Sequence, residues 1–380
     1  MKDALIVGAG LSGAVLAREL AEAGVSVQVI EARRHLGGNC HTERDPDTQI
    51  MVHVYGPHIF HTSNEEVWRY VQRFGTWVPF VNRVKAHTRG AIFSLPINLH
   101  TINQFFGTTL TPGEAKAFLA AKASSDIGEP ANFEEQALKF VGRDLYEAFF
   151  RGYTLKQWGC QPAELPAEIL KRLPVRFDYN DSYYDSRHQA MPREGYTRVI
   201  EQLLSHPLVR VSLGTPWDPA MGQDAEHVFF SGALDAFYGF REGRLGYRTV
   251  HWEAETLEGD FQGNAVINYP GLEVPWTRVL EHKHFAPWES HPRTLVFREF
   301  SKETLEGDTP YYPKRLPEDR RILARYLERA SRETRVSFIG RLGTYRYLDM
   351  HQVVAETLSF SRDWLRAKAE GQPLPVFSGT

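Results

Sequence analysis

Only two cysteines, Cys40 and Cys160, occur in 380 residues. That excludes a disulfide scaffold and every all-cysteine metal centre. No run approaches the ~18 apolar residues of a membrane span, and the start MKDALIVGAG lacks the long apolar stretch and small-residue cleavage site of a signal peptide. Neither charge sign is in excess: 44 Lys and Arg face 47 Asp and Glu, a net charge of −3. Nothing in that balance calls for nucleic acid or an acidic membrane. The chain also lacks internal repeats, low-complexity tracts and a second GxGxxG. These absences lead us to expect a soluble protein of a reduced compartment, the cytoplasm, with no nucleic-acid or membrane partner. Its 42% hydrophobic content is that of a globular chain, and its length suits two or three domains.

What is present is most specific at the start. Residues 4–7 form an apolar run ending at Gly8, followed by Gly8-Ala-Gly10-Leu-Ser-Gly13, a helix-prone segment ending at Gly24, and a second strand-like run, VSVQVI, ending on Glu31. This is a strand–GxGxxG–helix–strand–acid unit. Gly8 makes the tight turn, Gly10 admits a pyrophosphate to the backbone, and Gly13 lets the helix lie close to the strand. Leu11, Ser12 and Gly13 open a helix whose N–H groups favour phosphate, while Glu31, followed by Ala32 and Arg33, would accept a ribose diol. The Gly37-Gly38-Asn39 step soon after resembles the glycine doublet of FAD-dependent enzymes, so FAD rather than NAD is expected.

Along the rest of the chain, residues 50–54 read as a short strand and Ser63-Asn-Glu-Glu66 as a capping box ahead of a helix. Residues 80–97 read as β structure turning at Arg89-Gly90. Thr111 to Glu114 starts a helix. The apolar spacing of Ala137, Phe140, Val141, Leu145, Ala148 and Phe149 predicts one helix over 133–150. A helix over 199–204 and strands over 209–213 and 227–231 follow. Alternating segments at 247–255, 264–269 and 291–300 predict strands, as does 335–339. Asp349 would cap a last helix, and the tail from 371 is expected to be loose. The fold class is α/β: a Rossmann-like FAD-binding domain (1–80, 193–240 and 333–368), an inserted helical domain (98–170) and an antiparallel sheet domain (81–97, 171–192 and 241–332).

The segments IVGAGLSGAVLAREL, YGPHIFHT, FVGRDLYEAFFRGYTLKQWG, ELPAEILKRLPVR, FQGNAVINY, TRVLEHKHF, PYYPKR and GRLGTYRYLDMHQV together resemble the bacterial UDP-galactopyranose mutases. The resemblance implies an isomerase that interconverts UDP-galactopyranose and UDP-galactofuranose by ring contraction. Reduced FAD is its cofactor, with flavin N5 as nucleophile on the anomeric carbon. It further implies a homodimer supplied by an external reductant and serving cell-surface polysaccharide synthesis.

It also implies roles for individual residues. Arg172 in LKRLP and Arg278 in WTRVLEH match the arginines that hold the diphosphate, a task suited to bidentate guanidinium groups. Phe149, Phe150, Tyr153, Trp158 and Asn268 match the uridine side, although Phe149 and Phe150 also continue the apolar face of a helix. Tyr183, Tyr312 and Tyr347 match tyrosines at the phosphates and sugar, with Asn82 on the sugar side and Arg248 as a further substrate contact. Tyr345 and Tyr347 would share a side if their segment is extended. His58 and Ile59 match a segment beside the flavin. Arg341, Asp349 and Met350 match a flavin-facing helix start, whose N-terminus would favour an anionic reduced ring.

Two other readings remain open at this point. His58 and His61 form an H-x-x-H pair, but no third ligand presents itself in the sequence, so no metal is expected. An amine-oxidase or protoporphyrinogen-oxidase type of flavoprotein shares the glycine and acid features. UDP binding separates the two, because the arginine and tyrosine set has no task in an amine oxidase.

Overall fold

The computed structural model describes residues 2–124, 126–167 and 175–379. β1 (Lys2–Val7), α1 (Leu11–Glu22) and β2 (Val27–Ile30) form the expected parallel unit, with Ala4 paired to Val27 and Val7 to Ile30. Ala225–Phe230 pairs with the other edge of β1 and Val336–Phe338 lies beyond it, while Val209–Ser212 flanks β2. All five strands are parallel. β2 is buried at all four positions, as in a sheet covered on both faces, and its one polar residue, Gln28, donates its amide to the Val29 carbonyl and Ser212 Oγ. α1 packs against the helices Tyr196–Leu204 and Met350–Glu370, and Trp364 of the latter is fully buried.

A second sheet has seven strands in the order Tyr312–Pro313, Tyr247–Glu258, Arg293–Glu303, Arg278–Glu281, Val266–Asn268, Val84–Thr88 and Ala91–Leu95. Every pairing is antiparallel except that of Val266–Asn268 with Val84–Thr88. Trp252 stands opposite Glu299, Glu299 opposite Arg278, and Arg278 opposite Asn268. Directly paired residues project from the same face, so these four form one row across the sheet. The helices Leu99–Phe106, Pro112–Lys122, Phe133–Leu145 and Gly152–Trp158 enclose their own core of Ile102, Phe133, Leu145, Tyr146 and Phe149.

Four local expectations are corrected. The helix predicted over 133–150 is broken: Gly142 takes φ 75°, and the chain then passes through a π-helical turn, Tyr146–Arg151. A Cβ on Gly142 would lie 2.6 Å from the Lys122 carbonyl oxygen, so the approach of the preceding helix requires glycine there. Phe140, predicted apolar-facing, is exposed. The cap of Glu65–Gln72 is Asn64 rather than Ser63; its side chain accepts from the N–H groups of Glu66 and Val67. The tail is held: the N–H of Phe338 donates to the Val376 carbonyl and that of Ser378 to the Phe338 carbonyl. The segment of Tyr345 and Tyr347 is not extended. Tyr345 has φ 49° and is fully buried, donating its hydroxyl to the Gly246 carbonyl at 2.6 Å, so the two tyrosines part company.

Candidate active site

The glycine turn is built for close approach. Gly8 takes φ 107°, and a Cβ on it would lie 2.1 Å from Ser231 Oγ; one on Gly13 would lie 2.0 Å from the Gly8 carbonyl oxygen. Gly37 donates its N–H to the Ala9 carbonyl at 2.9 Å. A Cβ on Gly38 would lie 3.1 Å from the Cα of Gly10. The glycine doublet is therefore laid directly on the first glycine turn. Gly10 caps α1 without any side-chain hydrogen bond, which leaves that helix start to an anion. The Glu31 carboxylate accepts from the N–H groups of Ala9 and Arg33, both at 2.9 Å. Arg33 lies 4.3 Å over the Tyr55 ring and donates to Asn39 Oδ1 at 2.9 Å, while its Nη1 is buried without a partner. A helix start awaiting phosphate, an acid at the ribose position and an unsatisfied guanidinium nitrogen fit FAD.

The sheet row presents Arg278. Its Nε and Nη2 donate to Glu299 Oε2 at 2.8 and 2.5 Å, and Glu299, 1% exposed, takes Thr277 Oγ1 on its other oxygen at 2.8 Å. Tyr153, Tyr183 and Tyr312 crowd the same guanidinium. Burial pushes each of these phenols up, and the Arg278 charge opposes that shift. All three are thus neutral hydrogen-bond donors at pH 7. Burial weighs against the Arg278 charge, but Glu299 and the phenols outweigh it and raise the guanidinium further. Tyr312 stacks on Tyr347, with centroids 5.8 Å apart and planes 13° from parallel, and Arg341 lies 4.8 Å over Tyr347.

His58 lies among Arg278, Arg341 and Asp349. Its Nδ1 lies 2.8 Å from the Gly56 carbonyl, so Nδ1 carries the proton and Nε2 is an acceptor. Burial, then the charges of Arg341 and Arg278, lower its pKa to about 4. Arg341 donates Nη2 to the Leu348 carbonyl at 2.6 Å, fixing the approach to Asp349, the N-cap of Met350–Glu370. Asn82 is buried, its Oδ1 has no partner, and its carbonyl accepts the Tyr183 N–H at 2.8 Å. The sequence offered His61 no third ligand, yet the fold brings it together with Asp349 and His351, their ligand atoms within 4.8 Å of one another.

The fold thus gathers Arg278, Tyr153, Tyr183, Tyr312, Tyr347, His58, Arg341 and Asp349 in one place, with Asn268 in the adjoining register position. Arg172 lies outside the described residues. Phe149 is packed against Phe93 and Phe105, at 5.4 and 5.5 Å, and Phe150 is buried in the same core. Arg248 is engaged by the protein itself. It is 4% exposed, and its guanidinium is taken up by the carbonyls of Gln157 and Lys156 and by Ser301 and Glu303. It anchors the C-terminal end of Gly152–Trp158. Sequence reasoning missed Glu299; the FREF alternation marks it as strand but does not name its partner.

The family model for UDP-galactopyranose mutase matches residues 148–347, and that for an NAD(P)-binding Rossmann-like domain matches residues 6–74. A protein named "Probable UDP-galactopyranose mutase" from Klebsiella pneumoniae is 53% identical over 377 residues, spanning 99% of this chain and 98% of its own. A dTDP-fucopyranose mutase from Escherichia coli is 48% identical, spanning 97% of this chain and all of its own. The crystal structure of a reduced UDP-galactopyranose mutase superposes with a TM-score of 0.75 at 15% identity, over 97% of this chain and 96% of that one, a likeness of fold. FAD is the cofactor that this fold and these residues take. With the match to residues 148–347 enclosing the Arg278 row and the tyrosine cluster, the chain belongs to the UDP-galactopyranose mutase family.

Proposed function

We propose that this protein interconverts UDP-galactopyranose and UDP-galactofuranose. The observation that carries the reading is Arg278, held by the buried Glu299 carboxylate and ringed by the neutral phenols of Tyr153, Tyr183 and Tyr312. One fixed cation and several O–H donors in a half-buried site suit a diphosphate that must be released and retaken without escaping. Bound and reduced, FAD supplies the nucleophile for the anomeric carbon. The chain's own residues do the rest. Arg278 and the phenols hold UDP while the sugar is detached, with Arg172 assigned to the same diphosphate. Asn82 Oδ1 accepts from a sugar hydroxyl. His58 Nε2, neutral at pH 7, accepts a hydrogen bond on the flavin side. Tyr153, Trp158 and Asn268, with Phe149 and Phe150 behind them, form the uridine side.

The 48% identity to a dTDP-fucopyranose mutase favours a second reading, in which the base is thymine and the sugar lacks its 6-hydroxyl. Product analysis decides between them. The dithionite-reduced protein is incubated with UDP-galactofuranose and, separately, with dTDP-fucofuranose, against oxidised controls. Faster conversion of the UDP sugar, only when reduced, supports the first reading; faster conversion of the dTDP sugar replaces it. In the cell we place the enzyme in the cytoplasm as a homodimer, drawing on an external reductant and feeding cell-surface polysaccharide synthesis.

A further inference from the structure

Lys156 lies on Gly152–Trp158, the short helix that also carries Tyr153 and Trp158. Its Nζ is 2.6 Å from the carbonyl oxygens of Tyr269 and Gly271, 2.8 Å from that of Trp276 and 3.1 Å from that of Val274. An ammonium has three protons to give and no acceptor. Here it meets four carbonyls from one chain segment, residues 269–276. That segment joins Val266–Asn268 to Arg278–Glu281, so Asn268 and Arg278 stand at its two ends.

The ends of the segment are tied by the Tyr269 N–H to the Thr277 carbonyl at 2.8 Å and by the rings of Tyr269 and Trp276, but its tip is not. Leu272, Glu273 and Pro275 are exposed, and burial at its tip is too slight to fix its path. The helix rests directly on it: a Cβ on Gly152 would lie 2.2 Å from the Pro270 carbonyl oxygen. Without a cation the four carbonyl dipoles would point at one another. They would then part by moving the segment, the helix or both.

We propose that Lys156 is a positioning residue for nucleotide binding, whose ammonium locks the helix carrying Tyr153 and Trp158 to the segment that sets Asn268 and Arg278. The proposal rests on the reading that this site takes UDP. Arg248 holds the same C-terminal turn of the helix by the carbonyls of Gln157 and of Lys156 itself, so the two cations act together on the end that carries Trp158. The lysine touches neither substrate nor flavin; its effect is on the geometry of the groups that do.

The test measures UDP affinity of the FAD-loaded protein by titration calorimetry, with amide hydrogen exchange of residues 269–277 in the UDP-free protein as a second readout. Lys156→Met is expected to weaken UDP binding about tenfold or more, to speed exchange across 269–277, and to leave the flavin content and absorption spectrum unchanged. Lys156→Ala leaves the four carbonyls around an opened space. Ammonium or potassium chloride is expected to restore affinity and protection there, and lithium chloride at equal ionic strength is not. UDP affinity within twofold of the parent in Lys156→Met overturns the proposal. So does a loss in both variants that ammonium does not repair, which would assign the lysine to folding alone. Failure of the parent protein to bind UDP is a different result: it removes the substrate reading, and the proposal with it, whatever the exchange data show.

Discussion

Arg278 and Glu299 form a fork-to-carboxylate pair across neighbouring strands, Nε and Nη2 both on one oxygen of a carboxylate that is 1% exposed. The pair fixes the guanidinium plane before any ligand arrives, so no ordering remains for substrate binding to supply at that group. Arg278→Ala is expected to lower kcat/KM by about 10²–10³, the loss typical of one preorganised charge donor. Arg278→Lys should recover little, because a point charge cannot keep both bonds to Glu299 and still face the site. Glu299→Gln, which keeps shape and the Thr277 contact but not the charge, should fall between. Steady-state kinetics of the three variants, each with full flavin content, check this; a Glu299→Gln enzyme as fast as the parent would detach the pair from the reaction.

A second expectation concerns the cofactor alone. At Gly13 a methyl group would lie 2.0 Å from a carbonyl oxygen of the turn that must cradle pyrophosphate. That oxygen is backbone and cannot swing away. Gly13→Ala is therefore expected to purify folded but colourless. At Gly24, which takes φ 86° at the end of α1 with nothing within 4 Å of an added Cβ, alanine should retain the yellow chromophore. The flavin-to-protein absorbance ratio reads both, and equal ratios would contradict the assignment of the Gly13 close approach to the cofactor.

These two cases also mark how far the sequence could be read. The nucleotide clamp was legible because its parts lie within forty residues and every constraint is local: a turn, a helix start, an acid at the end of a strand. Period-two alternation likewise marked the strands bearing Asn268 and Glu299, while the strand of Arg278 entered only through the family resemblance. What alternation cannot state is register, and the Glu299–Arg278 pairing is a register fact. Lys156 was hidden for a similar reason: its acceptors are main-chain oxygens 113 to 120 positions away, with no side-chain signature. Gly142 misled in the opposite sense. The apolar spacing continues through it, so periodicity predicted one helix where a carbonyl of the preceding helix demands φ 75°.

The stacked pair Tyr312 and Tyr347 leads to a third expectation. Arg341 lies over Tyr347 at 4.8 Å and over Tyr312 at 5.9 Å, and it also donates to the Leu348 carbonyl ahead of the Asp349 cap. Tyr347→Phe keeps both rings and the cation face while removing one hydroxyl. We expect kcat/KM to drop about tenfold, the scale of one hydrogen bond to a charged group, with flavin retained. Tyr347→Ala removes the stack and the face beneath Arg341, and should lower flavin content as well. Activity and flavin absorbance measured on the same samples separate the two effects; equal flavin loss in both variants would place the hydroxyl on the cofactor side.

The last expectation is an acid limit on stability set by buried imidazoles. His282 is fully buried between Phe285 and Phe297, with the Phe297 ring 4.4 Å away and edge-on, and its Nε2 has no partner. Burial lowers its pKa to about 3. His53, stacked 6.1 Å away, is lowered well below the ordinary value by burial and by His282. In the unfolded chain both take a proton near pH 6.5. The unfolded state therefore binds protons first as pH falls. The stability present above pH 6.5 drains away between pH 6.5 and about 3, by up to about 1.4 kcal/mol per pH unit for each such group. Urea unfolding at several pH values from 7.5 to 5, with FAD in excess, should show that decline. His282→Phe, placed among aromatic neighbours, removes one titrating group. Its absolute stability will shift with the new packing, but the slope between pH 6.5 and 5 should become shallower by about 1 kcal/mol per unit. An unchanged slope would move the acid sensitivity to the other buried histidines, of which His227, lowered to about 4 by burial and by Lys368 and Arg335, is the next to replace.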